Sequence, residues 1–409
     1  MKRVVITGMG VVSPVGNDLN TFWENIIAGK CGIDYITKFD TTDYKVKIAA
    51  EVKDFDATLY MDKNEQRKLD LFSQYALASA VQAMQDSKLT DIDPNRLGVY
   101  IGSGIGGIGT FFTECEKLFS GGPRKISPYF IPMMISNMAS GNVAIRFNAK
   151  GPSLPVVTAC ATSTNAIGEA FRAIKFGYAD AIIAGGTEAA IIPPAVAGFT
   201  NIMALTTSND PLNSSMPFDK RRSGFVMGEG GACVILEEYE HALKRGAKLY
   251  AEIGGYGNTC DAHHITAPDP EAEGAKNAIV LAIEEANMLD TDKIYINAHG
   301  TSTPLNDKSE TLAIKKALGE DKAYKAIISS TKSMTGHMLG AAGAVEAIAA
   351  IMALNTGDIP PTIGYKEPDP DCDLNYVPNK SIKADVDLAI STSLGFGGHN
   401  ACVAFKKPI

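Results

Sequence analysis

Short β-branched runs alternate with Ala-rich runs of helical period along most of the chain, and no other feature narrows the fold as far. "RVVITGMG", "RLGVYIGSG", "PVVTACA", "DAIIAGG" and "GACVILEEY" are apolar on both faces of a strand, the pattern of sheets covered on both sides. "DKNEQRKLDLFSQYALASAVQAMQD" and "NAIGEAFRAIKFG" place apolar residues at helical spacing. The alternation predicts an α/β fold with buried sheets. The 409 residues suffice for two ordinary domains or one large unit. No low-complexity linker divides the chain, and its weakest point follows "EYEHALKRGAK", near residue 250. An internal echo suggests two similar halves. After Cys160 comes "STNAIGEAFRAIKFGYAD" and after His337 comes "MLGAAGAVEAIAAIMALNTGD", each a small-residue helix followed by Gly and Asp.

The net charge of −8 argues against a nucleic-acid binder, and an acidic partner would need a local basic patch. Seven cysteines stand at 31, 115, 160, 233, 260, 372 and 402, an odd number without a CxxC pair. That argues against a disulfide scaffold and against a zinc ribbon, and suits a reducing cytoplasm. The start, "MKRVVITGMGVVSP", reads as a first strand and turn rather than a signal peptide, because Gly8, Gly10 and Pro14 break its apolar run. Two uncharged windows, "ISPYFIPMMISNMASGNVAI" and "AAIIPPAVAGFTNIMALTTSN", carry Pro, Gly and Asn and read as buried or interface segments, not membrane spans.

The candidate chemistry begins at "LPVVTACATSTNAIGEA". Cys160 stands among Thr158, Ala159, Ala161, Thr162 and Ser163, which leave room beside the sulfur. A helix start there would favour a thiolate over the thiol, whose ordinary pKa is near ~8.5, and would offer free N–H groups to an oxyanion. His299 in "INAHGTSTPLND" and His337 in "STKSMTGHMLGAAG" each follow a strand-like run in a turn rich in Gly, Thr and Ser, and His399 lies in "STSLGFGGHN". One Cys with two His suits acyl transfer through a thioester, with imidazole donors stabilising an enolate. Lys332 lies five residues before His337, and Glu346, alone in "AAGAVEAIAAIMAL", needs a partner if buried.

Two motifs are read as decoys. Gly102, Gly104 and Gly107 form a GxGxxG after a strand, but no second strand with an acid follows, so a nucleotide site is not expected. "CDAHH" crowds Cys260, Asp261, His263 and His264 into one turn, better read as a loop near a pocket mouth than as a metal site.

Taken together, "TACATST", "FDKRRSGFVMGEG", "HGTSTPLND", "KSMTGHMLGAAG" and "GFGGHN" resemble the β-ketoacyl-[acyl-carrier-protein] synthases of bacterial fatty-acid synthesis, the synthase II branch above all. The resemblance runs from "RVVITGMGVVSPVG" to "SLGFGGHNACVAF". It implies a thiolase fold, duplicated and five-layered (αβαβα). Residues 1–251 would form the half with the nucleophile, and 252–409 the half with both histidines. It also implies a cytoplasmic homodimer that acts on acyl carrier protein and has no nucleic-acid or membrane partner. The reaction would join an acyl group to malonyl carrier protein with loss of CO2. Cys160 would carry the acyl group, His299 and His337 would bind the malonyl thioester oxygen, and Lys332 would support His337. The N–H groups of Cys160 and Phe396 would form the oxyanion hole, with Phe396 as a gate beside Gly395. Thr301 and Thr303 would hold the phosphopantetheine arm, which arrives on the carrier, so no cofactor is required. Ile105 would wall the acyl pocket, and Phe130 would reach a partner subunit's pocket. Arg67, Lys68, Arg124 and Lys125 would dock the carrier, whereas Lys63 is spaced differently from the family pattern. Asn297, Glu346 and Ser391 match positions around a structural monovalent cation, Na or K. The alternatives are a synthase I-like or polyketide condensing enzyme, a CoA-dependent thiolase, for which a second C-terminal active-site Cys would be needed, and a non-catalytic chain-length partner, which should lack the nucleophile.

Overall fold

The computed structural model describes residues 1–408. Nine strands form one mixed sheet: β1 (Val4–Val12), β2 (Leu97–Gly102), β3 (Ala181–Glu188), β4 (Gly230–Glu238), β5 (Ala251–Cys260), β6 (Ile294–Asn297), β7 (Ile327–Ser329), β8 (Leu388–Gly395) and β9 (His399–Lys406). Their order is β2-β3-β4-β1-β5-β9-β8-β6-β7. Outward from the β1–β5 junction the two sides repeat. β1–β4–β3–β2 and β5–β9–β8–β6 each run antiparallel, antiparallel, parallel. The junction itself is narrow, with Val5 opposite Glu252 and Ile6 opposite Ala251.

Six helices complete the layers: α1 (Leu71–Ser87), α2 (Ile108–Gly121), α3 (Thr162–Lys175), α4 (Glu273–Glu285), α5 (Pro304–Leu318) and α6 (Ala342–Thr356). α1 covers the outer face of β1, β3 and β4, while α4 covers β5 and β9 with α5 beside it. α3 and α6 lie between the two halves of the sheet and pack on both and on each other, which makes five layers, αβαβα. A helix in that position must be apolar nearly all round, and α6, "AGAVEAIAAIMALNT", is buried at twelve positions. Leu339–Thr356 is long and apolar enough to cross a membrane, yet 83% of it is buried inside the fold. The two central helices meet at Gly343, where a Cβ would come within 2.0 Å of Thr164 Oγ1.

Three sequence expectations need correction. Residues 62–86 are not one amphipathic helix. A short turn, Lys63–Gln66, precedes α1, because Asp70 caps α1 through Phe72 N–H and is also bound by Thr110. α1 is buried on most of its surface rather than one face. "PVVTACA" is no strand. It lies beyond the edge strand β2, where the chain bonds Val99 through Pro152 and Leu154 and then leaves, with Leu154 and Val157 half exposed. Third, the internal echo has a different register. Ala159–Ala161 and Leu339–Ala341 are matching 3-10 turns, entered at φ +51° and +48°, that open α3 and α6. Cys160 therefore corresponds to Gly340, not to His337.

Candidate active site

Cys160 sits at the centre of its turn, two residues before α3, with 9% exposure. The start of the β8–β9 hairpin lies against it. The Phe396 N–H points at the sulfur, and a Cβ on Gly395 would come within 2.7 Å of the Thr158 carbonyl and 3.3 Å of Cys160 N. Gly395 thus permits the approach that aligns the N–H groups of Cys160 and Phe396. A cleft of about 390 Å³ opens over the sulfur, lined by Cys160, His299, His337, Thr301, Thr303 and Phe396. Cys160 belongs to an apolar cluster with Ile191, Val196, Phe225 and Leu339, with Ile108 and Phe199 packed against it.

Burial pushes the pKa of the Cys160 thiol up to about 12, against the nearby Lys332 charge and the Phe396 N–H. Burial therefore works against the thiolate that a helix start would favour.

His299 follows β6. Its N–H and that of Gly300 each donate to the Glu310 carboxylate at 2.7 Å, and Thr392 Oγ1 donates to the same group at 2.7 Å. Glu310 is buried on α5, and burial raises its pKa to about 7. Lys332 Nζ stands 3.3 Å from His299 Nδ1. An ammonium can only donate, so Nδ1 accepts and Nε2 carries the ring proton. His337 is fixed by its backbone, which donates to Val226 and accepts from Gly228. The two rings meet edge-on, 5.2 Å apart at 87°. Burial, and secondarily the Lys332 charge, holds both imidazoles well below their ordinary pKa, so both are neutral. Lys332 is itself paired with Glu346, both fully buried.

Thr301 and Thr303 face the cleft with hydroxyls 3.0 Å apart. Ile105 and Phe130 do not line it. Ile105 is 38% exposed in the β2–α2 loop, and Phe130 stacks on Phe111 at 6.3 Å. Arg67, Lys68, Arg124 and Lys125 are exposed, and Lys68 lies over the ring of Tyr129, four residues after Lys125, so the two basic pairs share one surface. Asn297 and Ser391 are opposite each other on β6 and β8, and α6, which carries Glu346, packs on both strands. Asn297 Oδ1, Ser391 Oγ and Glu346 Oε2 are all buried without a partner. Three oxygen donors left unpaired would each cost about 1–3 kcal/mol, and this set fits a hard cation.

The decoys are resolved. The GxGxxG loop does lead from β2 into α2, but its N–H groups at Gly104 and Ile105 are taken by the Glu188 carboxylate, where a phosphate would need them. Among the described residues no group of three or more His, Cys, Asp or Glu could hold a metal. The "CDAHH" loop instead shapes the cleft mouth. Asp261 lines it and accepts from Asn400, while His264 Nδ1 accepts from the N–H groups of Thr266 and Ala267. Glu310 and Glu188 were not singled out in the sequence. Glu188 is the one acid in a fully buried strand, which is its only local signal, whereas Glu310 lies in a helix rich in charged residues and offers none.

A duplicated αβαβα fold with a cysteine on a tight turn and two neutral histidines in one cleft defines a thioester-handling acyltransferase. The chain belongs to the β-ketoacyl synthase family: its residues 1–242 match the N-terminal domain of that family and residues 250–366 the C-terminal domain. It is 52% identical over 409 residues to a Synechocystis protein named 3-oxoacyl-[acyl-carrier-protein] synthase 2, covering 99% of this chain and 98% of that one. It is 51% identical, with the same coverage, to the Staphylococcus aureus protein of that name. A Burkholderia phymatum β-ketoacyl synthase structure superimposes with a TM-score of 0.93 at 33% identity, over the whole of both chains. A type II polyketide ketosynthase in complex with its acyl-carrier protein does so with a TM-score of 0.92 at 34% identity, again over both whole chains.

Proposed function

We propose that this protein condenses an acyl-[acyl-carrier protein] with malonyl-[acyl-carrier protein] to give 3-oxoacyl-[acyl-carrier protein], CO2 and free carrier in fatty-acid elongation. The observation that carries this is the meeting of Cys160, His299 and His337 in one cleft of a chain about half identical to two 3-oxoacyl-[acyl-carrier-protein] synthases 2. The 34% identity to the type II polyketide ketosynthase is lower and favours the fatty-acid reading over the polyketide one. The presence of Cys160 favours a catalyst over a non-catalytic partner. Cys402, the C-terminal candidate for a thiolase's second cysteine, is buried in β9, outside the cleft.

Each residue's role follows from its surroundings. The Cys160 sulfur attacks the acyl thioester, and its proton ends on the departing pantetheine thiol. The N–H groups of Cys160 and Phe396 hold the oxyanion, a donor pair of the kind whose single loss costs about 2.7–4 kcal/mol in the barrier. Malonyl carrier then binds. Its C–C bond to the carboxylate breaks, CO2 leaves, and the electron pair passes into the thioester carbonyl. His299, with Nε2–H free to donate, and neutral His337 stabilise that enolate oxygen. The enolate carbon attacks the acyl-enzyme, the C–S bond breaks, and the sulfur regains a proton. Neutral imidazoles suit this role, since the charge develops only in the transition state.

The carrier is the macromolecular partner, docking at Arg67, Lys68, Arg124 and Lys125. The chain acts as a homodimer, supported by the half-exposed edge segment at Leu154 and Val157. A monovalent cation, Na or K, is held by Asn297, Glu346 and Ser391, and no further cofactor is required. Seven cysteines without a disulfide support a cytoplasmic setting. The test is intact mass after mixing with a long-chain acyl carrier, beside Cys160→Ala. An acyl-sized gain on the parent alone, cleared by malonyl carrier, supports the reading. No gain on either folded protein overturns it.

A further inference from the structure

Glu188, the last residue of β3, is fully buried and has no part in the chemistry above. Its carboxylate accepts four hydrogen bonds, from Ser103 Oγ at 2.7 Å and from the N–H groups of Gly104 at 2.9 Å, Ile105 at 3.2 Å and Gly340 at 3.0 Å. These donors come from the β2–α2 loop and from the second 3-10 turn. The loop is wedged between the two matching turns. A Cβ on Gly104 would lie 3.6 Å from the Ala159 carbonyl, and one on Gly340 only 2.5 Å from Gly104 N. One turn carries Cys160, and the other starts two residues after His337. The Gly340 turn can carry no side chain at its centre, and its free N–H is satisfied by this internal anion.

We propose that Glu188 is a positioning residue: its carboxylate joins the β2–α2 loop to the Gly340 turn and so sets the spacing between Cys160 and His337 that condensation needs. Four donors directed at the two oxygens favour the carboxylate form, against the burial that pushes its pKa up. Its charge opposes ionisation of Cys160. A group placed to activate the sulfur electrostatically would have the opposite sign, so the contribution is geometric. The proposal rests on the condensing reading of the site.

The test uses the full chain with Glu188→Gln, which keeps the size but turns one acceptor into a donor, and Glu188→Ala with added formate. The expected kcat for condensation falls at least about tenfold, as misplacements of this kind can cost about a hundredfold, while KM for both carriers stays within about twofold. Alkylation of Cys160 by iodoacetamide becomes faster at the same pH, because a negative charge has gone. Formate, filling the vacated nest, restores activity to Glu188→Ala and not to Glu188→Gln. A Glu188→Gln kcat within about twofold of the parent overturns the proposal, as does a kcat and an alkylation rate that fall together. A parent chain that does not condense defeats the functional reading instead, an outcome distinct from a Glu188→Gln variant that matches an active parent.

Discussion

Lys332 and Glu346 form an ion pair sealed in the centre of the molecule, and the same ammonium stands 3.3 Å from Nδ1 of His299. The pair links stability to the protonation pattern of a catalytic ring, and the two roles separate by mutation. Lys332→Ala removes the buried ammonium that pairs Glu346, which should cost about 3–5 kcal/mol, seen as a lower urea midpoint together with lost decarboxylation. Lys332→Met with Glu346→Leu removes both charges. It should recover most of the stability yet stay inactive, since nothing then selects the Nε2–H form of His299. An active double variant would show that the ammonium has no role in catalysis.

The histidines make a signed prediction about acid. His337 is held well below its ordinary value of 6.5 by burial and then by Lys332. Above that value it is neutral folded or unfolded, and costs nothing. Below it the unfolded chain binds a proton that the native site refuses, so stability falls with pH by about 1.4 kcal/mol per unit for this residue. Urea denaturation of the parent and of His337→Asn between pH 6.5 and 5.5 should therefore diverge, with the variant showing the flatter dependence. Parallel curves would mean that His337 is free to protonate in the fold.

Two glycines should respond oppositely to alanine. At Gly343 a methyl would meet Thr164 Oγ1 at 2.0 Å and its backbone nitrogen at 2.9 Å, where the central helices cross. Gly343→Ala should destabilise by at least about 1–3 kcal/mol through overpacking. Gly198, in the helix Pro193–Asn201, has open space for 4 Å around the point where a methyl would stand, and no strained φ. Gly198→Ala should stabilise by about 0.5–1 kcal/mol through lost backbone freedom in the unfolded chain. Thermal midpoints of the two variants moving in the same direction would contradict this account.

Three buried oxygens without protein partners, on Asn297, Ser391 and Glu346, predict a response to cations. The thermal midpoint should be higher in sodium or potassium chloride than in choline chloride at the same ionic strength, by ordinary linkage to binding. Ser391→Ala should shrink that difference. Equal midpoints in all three salts would show that these atoms are satisfied in some other way.

Cys160, His299 and His337 were legible in the sequence because each lies in a turn of small residues, with a buried run before the two histidines, and both are local signals. Glu310 and Glu188 were not. Glu310 acts on His299 from a following helix, and Glu188 joins residues 84 and 152 positions away. Such partnerships exist only once the layers are stacked. The misread stretch at 155–161 has strand composition, but composition does not reveal that pairing with β2 stops at Leu154. The register of the internal echo failed for a similar reason. Gly340 has no side chain to advertise that it stands where Cys160 stands in the other half.

The basic surface around Arg67, Lys68, Arg124 and Lys125 works against a net charge of −8, so attraction of an acidic carrier has to be local. These side chains are exposed and, among the described residues, make no ion pair within this chain. Exposed charge pairs act mainly on encounter and are screened beyond a Debye length of about 8 Å at physiological salt. Arg67→Glu and Arg124→Glu should therefore raise KM for acyl and malonyl carriers severalfold, leave kcat nearly unchanged, and weaken the dependence of kcat/KM on ionic strength. A small pantetheine thioester substrate, which needs no docking, should show none of these effects. If it loses activity in step with the carriers, the charges act on the cleft rather than on the carrier, and the docking surface lies elsewhere.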